Sequence, residues 1–354
     1  MSSWVRDVDR YQRRHPVVGF PIAVVYKYFD DHGPYLAAIL TYYSFIAIFP
    51  LLIISSSILG FVLQGDPELR DRLLNSALSQ IPIVGDQLGR PEGLRGSASA
   101  IVVGSLVSIY GGLGVGQAFQ HAANIAWSVP RNSRTNAVLQ RLRSVVLLSF
   151  AGLGVLALAI TSLLLANPET VGVEAGHLAW LSRLSGIVVT LLIFTGLYRL
   201  VGSRRVPPQA LLPGAVFAVV CWQGLQIGGS TFVSQVVTKA TTSQMNQTFA
   251  LVLGLFAFLF LVSGMVIFGH EINVVAYQRL YPRALLTPFT DNVSLTEADR
   301  RAYTRYAKSQ RHKGFQSIET RFDGPRPPRG LRADAVAEPD IVQPDARIEQ
   351  PADE

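Results

Sequence analysis

The stretch from Lys239 to Arg279 constrains this chain most. Thirty-nine residues separate the two cations, and Glu271 is the only formal charge among them. A hydrocarbon core about 30 Å thick is crossed by about 20 helical residues rising ~1.5 Å each. The stretch therefore predicts a transmembrane helix, and Glu271, a carboxylate in or near lipid, is a functional candidate on cost alone. Five further apolar runs extend the pattern. Together they predict an all-α, polytopic membrane protein with six transmembrane helices, at about 36–63, 98–119, 144–166, 178–200, 210–233 and 248–277. Charged residues make up 16% of the chain, against about 25% in soluble domains, so a soluble globular fold is excluded.

Charge placement sets orientation. Arg131, Arg134, Arg141 and Arg143 follow the second run, and Arg199, Arg204 and Arg205 border the turn after the fourth, with no acid in either connection. The connections after the first and third runs are net acidic, and the one after the fifth holds only Lys239. The positive-inside rule then puts both termini in the cytoplasm. Residues 1–35 read as a cytoplasmic or interfacial segment. There Val17–Phe29 suits a helix lying in the interface, with Tyr26, Tyr28 and Phe29 at headgroup level. No cleaved leader is expected, because these residues lack an apolar core followed by a cleavage pattern. Between the first two runs, Asp66–Ile81 has amphipathic helical spacing. The rest of the chain, 36–278 apart, is a cytoplasmic tail, 279–354. Its basic part (Arg300, Arg301, Arg305, Lys308, Arg311, Lys313) suits anionic lipid headgroups, and its acidic, Pro-rich end has a disordered composition.

Catalytic vocabulary is sparse. The single cysteine, Cys221, sits in an apolar run and excludes a disulfide framework or Cys-rich metal site. His270-Glu271 begins like HExxH, but Val274 stands where the second His belongs. No GxSxG, Walker or paired-carboxylate pattern is present, so no catalytic residue, cofactor or metal ligand is assigned and no enzyme is expected. The net charge of +7 reports orientation before it reports nucleic acid, which is not an expected partner. Gly112 and Gly116 form a GxxxG whose reading is close helix packing.

Two constellations stand out. Gln223, Gln226, Ser230 and Ser234 follow one helical face beside Trp222. They read either as interhelical hydrogen bonding or as the wall of a hydrated substrate pathway, to which Tyr43 on the first span also belongs. His270, Glu271 and Asn273 lie about 12 Å from the end of the last span at ~1.5 Å per residue, and read, with the helix-kinking Pro50, as a gate or anchor. Arg199 or Arg134 is the expected partner of Glu271.

Thr41-Tyr42-Tyr43-Ser44 with Phe49-Pro50-Leu51-Leu52 resembles the YihY/BrkB family of bacterial inner-membrane proteins. So do Asn124 and Trp127, Leu212-Pro213-Gly214-Ala215 with Trp222, and Gly269-His270-Glu271-Ile272-Asn273. These motifs cover about residues 20 to 285. His270 replaces the small residue of the usual Gly-Ala-Glu-x-Asn ending. The resemblance implies a six-helix protein of the bacterial inner membrane, linked to envelope integrity and export of lipids or lipid-linked precursors. The ribonuclease BN label the family has carried finds no acid/His cluster here to support it. The expected function is a carrier of a lipid or lipid-linked amphiphile without its own ATPase. The alternative is an envelope scaffold with no transport activity. Membrane lipids are the expected partners, and oligomerisation is left open.

Overall fold

The computed structural model describes residues 3–62, 98–166, 175–202, 206–232, 244–291 and 293–322. The amphipathic helix expected at Asp66–Ile81, Ser234 and the acidic end of the tail lie outside the described residues. Among those described, all regular structure is helical. Two short helices, α1 (Ser3–Arg14) and α2 (Pro16–Asp30), precede six long ones. These are α3 (Gly33–Val62), α4 (Ala98–Ala126), α5 (Ala137–Ala166), α6 (Ala175–Val201), α7 (Leu212–Phe232) and α8 (Gln244–Gln278). A ninth α-helix among the described residues, α9 (Glu297–Ser309), follows them. Stretches within α5, α6, α7 and α8 are long and apolar enough to cross a membrane by length and composition, and Gly33–Ile48 of α3 forms a shorter apolar segment.

Two helices begin or end beyond the limits their apolar runs predict, for reasons visible in their polar residues. Asn136 accepts the backbone N–H of Leu139 at 2.9 Å, an N-cap that starts α5 at Ala137 and places Arg141 and Arg143 in its first turns. Within α4, helix continues through Gln120 because its amide reaches α5, donating to Gln140 O at 3.0 Å and Ser144 Oγ at 3.0 Å. The helix ends at Ala126, and Ser128, with a φ of 50°, and the Val129 N–H to Asn124 O bond form a left-handed terminal turn after it. Arg279 (φ 52°), with Leu280 N–H bonded to Val275 O, ends α8 the same way.

Of the GxxxG pair in α4, Gly116 is a close-approach site, and so is Gly114 between the two. A Cβ on Gly114 would meet the Tyr43 ring at 2.1 Å, and one on Gly116 the Ser144 Cα at 2.7 Å. A Cβ on Gly112 meets only Leu148 Cδ1, at 3.2 Å. Gly116, more than Gly112, sets how closely α4 and α5 can pack.

The centre of the bundle is α8, which packs against α3, α7, α2 and α4. Its apolar span has 44% of its residues buried, against 22–28% in the spans of α5, α6 and α7. Side chains that look outward from the bundle, such as Leu153, Leu192, Val220 and Ile227, are large and apolar, as a lipid-facing surface requires.

Residues 279–322 depart from the expected separate tail. They fold back and lock onto α1 and α2. Arg283, only 1% exposed, bridges Asp30 at 2.6 Å and Asp299 at 2.8 Å. Gln12 donates to Arg283 O at 2.6 Å, and Leu285 N–H donates to Asp9 at 3.0 Å. Thr296 and Asp299 form a capping box that starts α9. At the far end of α9, Asn132 N–H donates to Arg311 O at 3.1 Å, tying it to the α4–α5 connection. A buried arginine needs paired carboxylates to offset its desolvation, and both come from segments that composition alone reads as surface.

Candidate functional site

The α2–α3 and α4–α5 turns and the start of α7 meet the end of α8 at one end of the bundle. The residues of the Gly269–Asn273 motif are divided among them. Gly269 and Gly214 face each other closely: a Cβ on Gly214 would lie 1.9 Å from Gly269 O. That approach lets Asn273 Oδ1 accept the backbone N–H of Gly214 at 2.7 Å, satisfying one of the orphan donors at the start of α7. Leu212-Pro213-Gly214 is thus a helix start capped from another helix.

His270 faces α4 and α6. Trp127 Nε1 donates to His270 Nε2 at 2.8 Å, so the imidazole accepts there. The rings of Phe119, Tyr198 and Trp127 surround it at centroid distances of 5.3–6.2 Å. Tyr198 also donates to Val266 O at 3.1 Å. Trp127→Phe leaves the buried His270 nitrogen without its donor. The expected cost is about 1–3 kcal/mol, read as a lowered melting temperature of the purified protein, with Trp127→His losing less than Trp127→Leu.

Glu271 turns towards α2. It is 0% exposed, and its charge partner is Lys27, at 3.4 Å. The expected partners are not used: Arg199 is exposed and Arg134 donates to Val129 O. Lys27, 1% exposed, also pairs with Asp31, four residues on in its own segment. The Tyr306 ring of α9 lies under the ammonium at 5.2 Å from its centroid. Burial alone would lower the Lys27 pKa, but Asp31 and Glu271 outweigh it and hold the ammonium above the ordinary lysine range. Arg283 behaves alike: desolvation is outweighed by Asp30 and Asp299. Burial raises the Tyr306 phenol. Among the described residues, no group of three or more His, Cys, Asp or Glu side chains is placed to hold a metal ion.

The family model "Virulence factor BrkB" matches residues 24–291. The chain belongs to the BrkB family. Among curated relatives, the inner membrane protein YhjD of Escherichia coli (strain K12) is 24% identical over 277 residues, covering 72% of this chain and 80% of that protein. No solved structure matches. This BrkB-family chain is therefore membrane-embedded, and its relative's location supports a bacterial membrane.

The remaining sequence candidates are not brought together with this cluster. Gln223 is exposed on α7, Gln226 is half-buried and engaged, and the Ser230 side chain lies outside the description, as does Ser234. Trp222 packs half-buried near Phe258, at a ring distance of 6.3 Å. Tyr43 covers Gly114 and neighbours Tyr42 and Tyr110, a place in the α3–α4 contact. Pro50 lies within the continuous helix α3. On α9, Arg300, Arg301 and Lys308 are exposed, with Arg301 also donating to Arg279 O, and Arg305 is half-buried and engaged.

Lys27, Asp31, Arg283, Asp299 and Tyr306 were missed as site residues. For Lys27 a signal existed. Gly19, Ala23, Lys27 and Asp31 share one face of α2 at four-residue spacing, and Val17, Val25 and Phe29 share the exposed one. That pattern puts the lysine on the side that packs.

Proposed function

We propose that this BrkB-family protein is a six-span inner-membrane carrier of lipids or lipid-linked amphiphiles, without its own ATPase and with both termini in the cytoplasm. The orientation is supported by the described cations of the α4–α5 connection, which Asn132 ties to the end of α9, together with the arginines that the sequence puts around the α6–α7 connection. The exposed cations of α9 would then face anionic headgroups of the cytoplasmic leaflet. No catalytic step belongs to the proposal.

The observation that carries the transport reading is Gln223. It is exposed, eleven residues into α7, or about 16 Å along the helix at ~1.5 Å per residue, near the middle of a ~30 Å core. An amide facing bare hydrocarbon is costly, whereas one facing a polar headgroup in transit is not. In liposomes, the purified protein is expected to accelerate translocation of a labelled phospholipid or lipid-linked sugar, and Gln223→Leu to slow it about tenfold. A rate equal to that of empty vesicles for every amphiphile tried would reject the carrier.

The second reading, an envelope scaffold, is favoured by the close approaches at Gly116–Ser144 and Gly214–Gly269. It requires Gln223→Leu to leave envelope function intact while substitutions at those glycines abolish it.

A further inference from the structure

Arg134 does not pair with Glu271, and its side chain is held elsewhere. Its Nε donates to Val129 O at 3.2 Å, within the turn from α4 to α5. Arg311, just past the end of α9, is held on the same turn. Its Nε donates to Asn132 Oδ1 at 3.3 Å, and its carbonyl accepts the Asn132 N–H at 3.1 Å. Arg131 stands in the chain between these two points of attachment and is exposed. Arg134 and Arg311 are thus fixed through Nε, and no Nη donor of either has an acceptor among the described residues.

No carboxylate offsets this charge. Residues 120–143 and 300–318 contain no acid. Among the described residues, the ion pairs of α1, α2, α8 and the segment after α8 go to Arg10, Arg13, Lys27 and Arg283, and none includes Arg131, Arg134 or Arg311. Asp299, at the opposite end of α9, is committed to Arg283. Arg134 is half-buried, and burial first and Arg131 second hold its pKa below the ordinary arginine value. The charge of both arginines also reaches His121, in the last turns of α4.

The position of the cluster says what could approach it. Val138, Leu142 and Val145 share one exposed face of α5, and that face begins four residues after Arg134. A lipid-facing surface starting there puts the arginines at the level of the headgroups.

We propose that Arg131, Arg134 and Arg311 form a binding site for a terminal phosphate group, presented as the headgroup of a phosphomonoester lipid. Guanidinium groups bond phosphate oxygens in pairs through their donor forks, and forks already held through Nε need little ordering to do so. A phosphomonoester carries about 1.5–2 negative charges near pH 7, more than the single charge of a phosphodiester, and so matches an acid-free cluster of arginines better. The bound phosphate would fasten the end of α9 to the α4–α5 turn. The site does not depend on the carrier reading, because a scaffold would hold the same headgroup.

The full chain, purified in an uncharged detergent, is titrated with dioctanoyl phosphatidic acid, dioctanoyl phosphatidylglycerol or inorganic pyrophosphate, and binding is read from the rise in melting temperature. Phosphatidic acid is expected to bind saturably and at least tenfold more tightly than phosphatidylglycerol. Arg131→Gln, which removes an exposed side chain, is expected to weaken phosphatidic acid about tenfold, and the double variant with Arg134→Gln to weaken it further. Arg14→Gln removes an equal charge from exposed α1 and should leave binding unchanged. If pyrophosphate raises the melting temperature as far as phosphatidic acid does, and Arg131→Gln weakens it too, the site stands and its phosphate comes from a soluble source. Phosphatidylglycerol binding as well as phosphatidic acid, no ligand binding at all, or Arg131→Gln and the double variant both matching wild type would overturn the proposal.

Discussion

Lys27→Met is expected to cost about 3–5 kcal/mol of stability, the range for removing one partner of a buried ion pair, and to abolish recovery of monodisperse protein. The side chain is 1% exposed and serves two carboxylates, Asp31 and Glu271, from different parts of the chain. Its removal leaves both buried without a cation and withdraws the ammonium from the Tyr306 ring. Lys27→Arg should recover only part of the loss, because a planar guanidinium does not fit a site shaped around a point charge on a tetrahedral ammonium. Combining Lys27→Met with Asp31→Asn and Glu271→Gln removes every formal charge of the group and is expected to restore most of the stability. Thermal unfolding and size-exclusion profiles of the four proteins decide it. A single Lys27→Met variant within about 1 kcal/mol of wild type would show that the ion group contributes little. The sign with pH follows from the raised Lys27 pKa. Its contribution is complete below the ordinary lysine value of about 10.4 and is lost only as the pH rises above it.

The second large effect is expected at Gly214. Alanine there places a methyl 1.9 Å from Gly269 O and 2.6 Å from Asn273 Nδ2, so α7 must move away from α8. That movement breaks the 2.7 Å bond from Gly214 N–H to Asn273 and reopens an orphan donor at the start of α7. Overpacking and the lost bond together should cost about 3 kcal/mol or more. Gly224, one helix face away on α7, has nothing within 4 Å of where a Cβ would stand. Gly224→Ala should be neutral or stabilising by up to about 1 kcal/mol, the ordinary gain of alanine over glycine in a helix. Melting temperatures measured side by side separate a packing glycine from an open one. Equal behaviour of the two variants would contradict the described contact.

Glu271 shows where sequence reading succeeds and where it stops. As the single charge in a 39-residue apolar stretch it was visible at once, and counting along the helix placed it near one end. Its partner was not visible. Arg199 and Arg134 were the expected cations because they flank the membrane runs, yet Lys27 reaches it from a helix that composition reads as peripheral. Pair identity depends on which face of α2 meets α8, a property of packing. The same holds for the segment after Arg279. Its cations and acids read as a solvated tail, but Arg283 and Asp299 are buried within it. Local charge density does not reveal that two carboxylates from distant segments converge on one guanidinium.

By itself, the sequence determined the all-helical class, the membrane setting and the family motifs. Long apolar runs have few ways to satisfy their backbone in lipid other than helix. Glycine spacing in α4 likewise announced a close contact, since small residues four apart form one face. Only the tertiary structure decided what those glycines touch, that Asn273 caps the start of α7, and that Lys27 stands between Asp31 and Glu271. Each of these depends on side chains brought together from segments far apart in the chain. Distances of 3 Å across such gaps are set by how helices pack, which local periodicity does not encode.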